Sequence, residues 1–388
     1  MNEEHAETIS QIRDTIAKVC EEFNGEYWRE KDRVRAYPTE FVAKLTELGL
    51  LASLIPEEYG GSGLPISVGA EILKAIHEQG ANAGACHAQM YTMGTVLRHG
   101  SKEQKEEYLP QIAAGELRLQ AFGVTEPTAG TDTTSISTVA VRDGDQYIVN
   151  GQKVWTSRAE HSDLMVLLAR TTPKDQVAKK TDGLSVFLVD MREALKNGMT
   201  IKPIRTMINH STTEIFFDNV PIPTTSLIGE EGKGFRYILS GMNAERILVA
   251  SESIGDGRYF IRKASDYARE RMVFGRPIGQ NQGIQFPIAR AFAEVEAAEA
   301  ILDKACRMYE AEDPRTGTYA NMAKMLASES AWNAGDTCMQ THGGFSVAEE
   351  YDIERKFREA RLYRIAPIST NLILSFLAER ELELPRSY

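Results

Sequence analysis

A loop in the first half of the chain combines hydroxyl side chains with turn-forming residues. It runs from Phe122 to Asp132 and has the sequence FGVTEPTAGTD. Proline and glycine bracket a turn there, so backbone N–H groups and threonine hydroxyls are available for hydrogen bonding. Such a loop is suited to the polar edge of a flat ring, and an ordinary surface loop is the alternative.

A tryptophan with small hydroxyl residues beside it follows this loop. It is Trp155, in the sequence GQKVWTS at residues 151–157, directly after a predicted hairpin. An indole can stack on a flat ring while neighbouring hydroxyls bond the polar edge of that ring. A tryptophan buried in the core is the alternative.

Paired glycines occur farther along, in the sequence QTHGG from Gln340 to Gly344. Because glycine has no Cβ, such a pair lets the backbone approach a phosphate closely. The same pair can also serve only to end a helix. The glycines at 60–63 are not a G-x-G-x-x-G run after a strand, so they do not indicate a Rossmann nucleotide site.

Carboxylates able to act as a general base are unevenly placed in the C-terminal part of the chain. Glu245 lies on a long predicted helix, in the sequence MNAERIL at residues 242–248. The stretch 360–378 contains no aspartate or glutamate at all. From composition alone, a solvated glutamate on a helix surface is the preferred description of Glu245, because glutamate is rarely buried.

The spacing of apolar residues predicts helices at both ends of the chain and strands between them. Near the N-terminus apolar residues recur at helical spacing, at Ile9, Ile12, Ile16 and Val19. The middle is rich in β-formers, with hairpin turn signals at Asp143-Gly144-Asp145 and Asn150-Gly151. We therefore expect an α+β fold: an N-terminal helical bundle at 1–118, a central antiparallel β domain at 119–228 and a C-terminal four-helix bundle at 229–388.

Composition excludes several classes of function. The net charge of -11 argues against a nucleic-acid surface. The four cysteines lie far apart with no C-x-x-C pair, so we expect neither a metal site nor a redox dithiol. Scattered cysteines and an acidic N-terminus without a signal peptide predict a cytoplasmic location. No apolar run approaches the roughly 18 residues that a membrane span needs, so no membrane is expected as a partner.

Taken together, these segments resemble the acyl-CoA dehydrogenase family. The family patterns V-T-E-P-x-A-G-[ST]-D and Q-x-x-G-G match residues 124–132 and 340–344. The sequence RMVFGRPI at residues 271–278, followed by Gln282, is similar to the family's R-x-x-F-G-x-P-[IL] segment. The resemblance covers nearly the whole chain. It implies one FAD per subunit, a homotetramer built as a dimer of dimers, an acyl-CoA substrate and electron-transfer flavoprotein as electron acceptor.

The resemblance also assigns roles to individual residues. Contacts with the FAD of the same subunit fall to Phe122, Val124, Thr125, Gly130, Thr131, Trp155, Ser157, Thr370 and Asn371. Contacts with the FAD of a neighbouring subunit fall to Arg271, Phe274, Gln282, Gln340, Gly343 and Gly344. The CoA portion would contact Thr131, Asn243 and Arg246. Phe122 stands where the family usually has tyrosine, so a hydroxyl contact is absent there.

Most members of the family carry their base, a glutamate, in a Tyr-Glu-Gly-Thr stretch. The matching residue here is Pro367, or Ile368 if the loop holds one extra residue, and neither is a base. A minority, including the isovaleryl-CoA and long-chain enzymes, place the glutamate before the arginine of N-x-x-R, where Glu245 stands. We therefore expect Glu245 to remove the α-proton of an acyl thioester. In the family, a backbone N–H near this point polarises the thioester oxygen. Proline has no N–H. We therefore expect either that the Ile368 N–H makes this contact or that the contact is weaker.

The resemblance gives less information about the acyl group. Ala366 stands where many straight-chain enzymes of the family have tyrosine, which opens space beside the acyl chain. No arginine occurs at 82–89 to bind a distal carboxylate. We expect a short, branched or otherwise bulky acyl group from fatty acid or amino acid catabolism. Two further hypotheses are another outcome on the same scaffold, such as an oxidase or desulfinase, and a non-catalytic acyl-CoA-binding protein.

Overall fold

The chain folds into two compact units, each gathered from distant parts of the sequence. The structure is a computed structural model that describes residues 3–386, with side chains for residues 7–386. The helical unit comprises Met1–Val34, Pro65–Ala83 and Asn243–Tyr388. The sheet unit comprises Arg35–Leu64 and Gly84–Met242.

Helices precede the sheet along the chain, as the spacing of apolar residues predicts. They are α1 (Glu3–Glu22), α2 (Gly25–Val34), α3 (Thr39–Glu47), α4 (Ile66–Glu78), α5 (Gly84–His99) and α6 (Lys102–Ala114). Helix α6 begins with a capping box, in which the Ser101 side chain accepts from the Gln104 N–H and the Gln104 side chain accepts from the Ser101 N–H, at 3.2 and 3.0 Å. Two N–H groups that the first turn leaves unpaired are thereby satisfied.

Eight strands form the sheet of the sheet unit. They are β1 (Leu119–Gly123), β2 (Val139–Asp143), β3 (Gln146–Ser157), β4 (Leu164–Arg170), β5 (Leu184–Asp190), β6 (Met199–Pro203), β7 (Thr212–Pro223) and β8 (Leu227–Ile228), with the short helix α7 (Met191–Ala194) after β5. The strand order is β6-β7-β3-β2-β4-β5-β8, and β1 pairs with β4.

Most strand pairs are antiparallel, as expected, but β4 pairs in parallel with β1 and, through one residue, with β2. Parallel neighbours need a long connection between them. The β2–β3 hairpin lies between β1 and β4 in the sequence and provides that connection. The sheet is therefore mixed, a property that residue alternation within single strands does not encode.

The two predicted hairpin turns have different outcomes. Gly144 and Asp145 do form the turn between β2 and β3, and Asp143, the last residue of β2, pairs with Gln146. The turn predicted at Asn150-Gly151 is wrong, because both residues lie inside β3. Gly151 has a φ of +145°, and a Cβ added there would lie 2.5 Å from the Thr138 hydroxyl oxygen. Glycine is needed at this position for a close approach of two strands rather than for a turn.

Strand β4 has core on both of its faces. All seven of its residues are buried. Leu164, Val166 and Leu168 pack with residues of α5 and α6, whereas Met165 and Leu167 pack with residues of β3 and β7. A strand buried on both faces has a continuous apolar sequence instead of an alternating one, as LMVLLAR illustrates.

The C-terminal part of the chain is again helical. Its elements are α8 (Gly234–Glu270), β9 (Met272–Val273), β10 (Arg276–Pro277), α9 (Gln282–Glu310), α10 (Thr316–His342), α11 (Ile353–Tyr363) and α12 (Thr370–Arg380). Gly257 of α8 allows close packing, because an added Cβ would lie 2.7 Å from Val295 of α9 and 3.6 Å from the Ala331 Cα of α10. The order of helices, sheet and helices confirms the predicted α+β class.

Candidate active site

The loop at 122–132 is bound to the strand that carries Trp155. The Val154 N–H donates to the Thr125 carbonyl at 2.9 Å. The Lys153 ammonium donates to the Val124 carbonyl at 3.0 Å and lies 2.8 Å from the Glu126 carboxylate. The structure therefore brings together two segments that were singled out separately in the sequence.

The Glu126–Lys153 ion pair lies at the centre of this junction, and the sequence interpretation missed it. Both side chains are buried. Burial alone would raise the pKa of Glu126, but the Lys153 ammonium and hydrogen bonds from Thr138 and Ser137 lower that pKa to about 2. Burial lowers the pKa of Lys153 to about 8, although Glu126 opposes the change. The available signal was a lysine at a buried position of a strand, which requires a partner.

The side chain of Trp155 is 59% exposed, so the alternative of a core tryptophan is wrong. Its φ of +61° is unusual for a residue with a bulky side chain. The Thr156 hydroxyl beside it is buried and has no hydrogen-bond partner among the described residues. An exposed ring on strained backbone, next to an unsatisfied hydroxyl, is typical of a ligand-binding surface.

The remaining loop residues leave room for a ligand in the sheet unit. Gly130 and Thr131 are exposed, and nothing lies within 4 Å of the point where a Gly130 Cβ would be. The Asp132 carboxylate accepts from the Thr134 hydroxyl at 2.6 Å and holds the turn. Phe122 is partly buried, with Tyr91 against it edge to face at 5.3 Å.

In the helical unit, Glu245 and Arg246 are buried side by side on α8. Their side chains are 8% and 7% exposed, so Glu245 is not a solvated surface glutamate. Arg246 donates from Nη1 to the Asn243 Oδ1 at 3.0 Å. Burial lowers the pKa of Arg246, and the Glu245 charge opposes this change. The Arg246 Nε is buried without a hydrogen-bond partner among the described residues and is a donor available to a ligand.

The loop between α11 and α12 contains no carboxylate. Ala366, Pro367 and Ile368 are partly buried. The Ile368 carbonyl accepts from the Lys324 ammonium of α10 at 2.7 Å. Ser369 caps α12 by accepting from the Leu372 N–H at 3.4 Å. Thr370 and Asn371 therefore form the first turn of α12, with Asn371 exposed.

The carboxylate nearest to this loop in the preceding sequence, Glu359, is already engaged. It lies 2.8 Å from the Lys356 ammonium and 3.1 Å from the Arg355 guanidinium. Burial alone would raise the pKa of Glu359, but these two cations lower it to about 2. A carboxylate held ionised by two buried cations is a poor proton acceptor, so Glu359 is unsuited to act as the base.

A second group of predicted residues gathers where α8 and α10 end. Tyr267 stacks on His342 at 4.1 Å, and the Arg271 guanidinium lies 5.5 Å from the centre of the Phe345 ring. Phe274 is fully exposed at the tip of the β9–β10 hairpin. The other predicted residues of this group are also exposed, namely Arg271, Gln282, Gln340, Gly343 and Gly344.

The length of α8 separates this second group from Glu245. At a rise of about 1.5 Å per residue, the part of α8 between Glu245 and its end at Glu270 is about 40 Å long. The residues around Arg271 and those around Glu245 therefore cannot hold the same reacting group within one chain.

Among the side chains of residues 7–386, no group of three or more histidines, cysteines, aspartates or glutamates is placed to hold a metal ion. No helix within the described part of the chain combines the length and the apolar character that crossing a bilayer requires.

Comparison with known proteins identifies the family. The acyl-CoA dehydrogenase N-terminal, middle and C-terminal domain models match residues 3–116, 121–220 and 232–382. Acyl-CoA dehydrogenase fadE12 of Mycobacterium bovis is 34% identical over 99% of this chain and 98% of the relative. Cyclohex-1-ene-1-carbonyl-CoA dehydrogenase of Syntrophus aciditrophicus is 34% identical over 99% and 95%. The crystal structure of acyl-CoA dehydrogenase from Geobacillus kaustophilus has a TM-score of 0.90 and 29% identity, covering 99% of both chains.

The chain belongs to the acyl-CoA dehydrogenase family. It is an FAD-dependent oxidoreductase that dehydrogenates acyl-CoA thioesters. The residues present fit the cofactor. In the sheet unit these are the exposed Trp155 ring, the unsatisfied Thr156 hydroxyl and the space at Gly130. In the helical unit, nothing lies within 4 Å of a Cβ added at Gly343 or Gly344.

Proposed function

We propose that this enzyme forms the α,β double bond of a short or branched acyl-CoA, with Glu245 as the base. The observation that carries the proposal is the burial of Glu245 beside Arg246 on α8, while stretch 360–378 has no carboxylate. A buried glutamate at an active site can be tuned to accept a proton from a weakly acidic carbon.

The reaction removes one proton and one hydride from adjacent carbons. A carboxylate oxygen of Glu245 takes the α-proton, and the electron pair of the broken Cα–H bond becomes the new carbon–carbon double bond. Bound FAD supplies the acceptor for the hydride that leaves Cβ. The burial of Glu245 keeps water from competing for the carboxylate, which strengthens its interaction with the substrate.

Arg246 and Asn243 are proposed to bind the CoA portion, together with Thr131. The hydrogen bond to Asn243 fixes the Arg246 side chain, and the buried Nε is still available as a donor. A guanidinium held in this way suits the oxygen atoms of a phosphate or of a pantetheine amide. The same contact positions the thioester with respect to Glu245, the residue that precedes Arg246 on the helix.

Ala366 supports a bulky acyl group as substrate. Alanine is the smallest side chain that still has a Cβ, and at this position it is partly buried. The name of the Syntrophus aciditrophicus relative specifies a ring as its acyl group. We propose that the space at Ala366 accepts a branch or ring that tyrosine would exclude.

A homotetramer and transfer of electrons to electron-transfer flavoprotein complete the proposal. The exposed group around Arg271 and Gln340 lies too far along α8 from Glu245 to serve the same flavin. We propose that this group contacts the FAD of a neighbouring subunit. Such an arrangement makes assembly necessary for tight FAD binding.

Glu245→Gln tests the proposed function because it keeps the size of the side chain and removes its capacity to accept a proton. Under anaerobic conditions, acyl-CoA should reduce the flavin of this variant at least about 10²-fold more slowly than that of the wild type. The FAD content should be unchanged. Glu296→Gln, a matched change at an exposed glutamate of α9, should leave the rate unchanged.

Three outcomes would replace the proposal or part of it. Wild-type flavin that no acyl-CoA reduces would indicate a non-catalytic binding protein. Hydrogen peroxide produced in air in proportion to substrate would indicate an oxidase. Flavin reduction at the wild-type rate in Glu245→Gln would place the base on another residue.

A further inference from the structure

One of the buried lysines differs from the others in its partners. The described residues include Lys74, Lys153, Lys324 and Lys356 as buried lysines. Three of them each lie within 3 Å of a carboxylate, with distances of 2.6 Å from Lys74 to Glu299, 2.8 Å from Lys153 to Glu126 and 2.7 Å from Lys356 to Asp256. Among the residues described, Lys324 forms no ion pair and donates to the Ile368 carbonyl at 2.7 Å.

A buried ammonium without an adjacent carboxylate is costly, because the lost hydration is not replaced by a paired charge. Natural proteins retain such groups mainly where function requires them. The environment of Lys324 is consistent with this interpretation. Burial lowers the pKa of Lys324 to about 8. The charges of Arg246 and Arg364 lower this pKa further, whereas those of Glu329 and Glu245 raise it.

The packing of α8 and α10 explains why Lys324 and Glu245 influence each other. A Cβ added at Gly317 of α10 would lie 3.7 Å from the Asn243 Oδ1 of α8, and one at Gly257 of α8 would lie 3.6 Å from the Ala331 Cα of α10. The residue numbers in both pairs differ by the same amount. The two helices therefore run in parallel at constant register, which places Lys324 level with the residues that follow Arg246.

We propose that Lys324 is a positioning residue for the reaction, which anchors the loop at Ile368 and provides a positive charge that partly offsets the burial of the Glu245 carboxylate. The inference rests on the proposed function of Glu245. An ammonium has three donors, so one can hold the Ile368 carbonyl while its charge acts on the carboxylate. In this chain the loop contributes no carboxylate of its own, and Lys324 links that loop to α10, which packs against α8.

The other charges around Lys324 do not replace this role. Glu329 of α10 lies 3.8 Å from the Arg364 guanidinium, so these two charges largely offset each other. The Arg246 charge also acts on the adjacent Glu245, but its hydrogen bond goes to Asn243 of the same helix and not to the loop. Lys324 donates to the loop at Ile368, and its charge also acts on Glu245.

Three variants separate the two parts of the role. Lys324→Met removes both the charge and the donor. Lys324→Gln removes the charge and keeps a donor for the Ile368 carbonyl, whereas Lys324→Arg keeps the charge. Lys74→Met is the matched control, since it removes a buried lysine of the same unit whose partners are Glu71 and Glu299.

The first readout is the rate of flavin reduction by acyl-CoA as a function of pH. The acidic limb reports the pH at which the base becomes ionised. Loss of a nearby positive charge destabilises the carboxylate, so Lys324→Met and Lys324→Gln should move this limb to higher pH by roughly one unit. The acidic limb of the pH profile should lie at the same pH in Lys324→Arg, in Lys74→Met and in the wild type.

The second readout does not depend on activity. Hydrogen–deuterium exchange of the peptide covering 364–371 should be faster in Lys324→Met than in the wild type, because the loop loses its anchor to α10. Lys324→Gln should exchange at a rate closer to that of the wild type. FAD content measured in parallel shows whether each variant is folded.

The possible failures are distinguishable. Glu245→Gln could slow flavin reduction while the Lys324 variants keep the acidic limb of the wild-type pH profile and the wild-type exchange rate at 364–371. In that case the inference about Lys324 is wrong and the proposed base stands. If Glu245→Gln has no effect, the proposed function itself fails. If the neutral variants do not bind FAD while Lys324→Arg does, Lys324 is required for folding, and its role as a positioning residue is rejected.

Discussion

The ammonium of Lys153 lies 2.8 Å from the carboxylate of Glu126, at the junction between the strand of Trp155 and the loop of Thr125. Both charged side chains are buried. A buried pair of this kind adds little net stability, yet removal of one partner leaves the other buried and uncompensated. The pair therefore links the integrity of the sheet unit to the geometry of its candidate flavin-binding residues.

The first prediction concerns this pair. Lys153→Met should destabilise the protein by about 3–5 kcal/mol, because the Glu126 charge is left buried without its cation. The melting temperature and the amount of FAD retained on gel filtration should both fall. Lys196→Met, at an exposed lysine, should change neither. Full retention of FAD in Lys153→Met would show that the pair does not support the cofactor site.

The second prediction is a dependence of stability on pH. The pKa of Glu126 is about 2 in the folded protein, against an ordinary value of 4.5. A lowered carboxyl pKa contributes stability that is complete above pH 4.5 and is lost as the pH falls towards 2. The melting temperature of the wild type should therefore fall over this interval.

The double variant Lys153→Met with Glu126→Gln isolates this contribution. It removes both charges, so its melting temperature should fall less steeply than that of the wild type between pH 4.5 and 2. Equal slopes for the two proteins would assign the acid sensitivity to other carboxylates, of which Glu359 is one, since its pKa is also lowered to about 2.

Features defined by residue type and local spacing could be predicted from the sequence. The order of helices, sheet and helices follows from the period of the apolar residues. The turn at Asp143-Gly144 follows from its turn residues. The turn predicted at Asn150-Gly151 was wrong, because a glycine needed for close approach of Thr138 has the same sequence signature as a glycine in a turn.

Contacts between distant segments could not be predicted. Lys153 and Glu126 lie 27 residues apart, and Lys324 and Ile368 lie 44 residues apart. No local pattern connects such pairs, since only the tertiary fold brings them within hydrogen-bonding distance. The parallel pairing of β1 with β4 was missed for the same reason.

The third prediction concerns the acyl group. Ala366→Tyr should fill the space beside the acyl chain and lower kcat/KM for a branched acyl-CoA at least about tenfold more than for a straight-chain acyl-CoA with the same number of carbon atoms. Rates of flavin reduction with the two thioesters measure this ratio. Ala366→Ser adds little volume and should preserve the preference. Equal losses on both substrates would mean that Ala366 does not line the acyl pocket.

The last prediction concerns assembly. Phe274 is fully exposed, with a φ of +51°, at the tip of the β9–β10 hairpin. An aromatic ring held outward on strained backbone is costly unless a partner covers it. We expect a tetramer with about one FAD per chain, in which Phe274→Ser weakens FAD retention and assembly together. Mass photometry and flavin absorbance measure the two properties. Val141→Ser, at an exposed apolar residue of β2, should affect neither, and a wild-type monomer with full FAD would rule out the shared site.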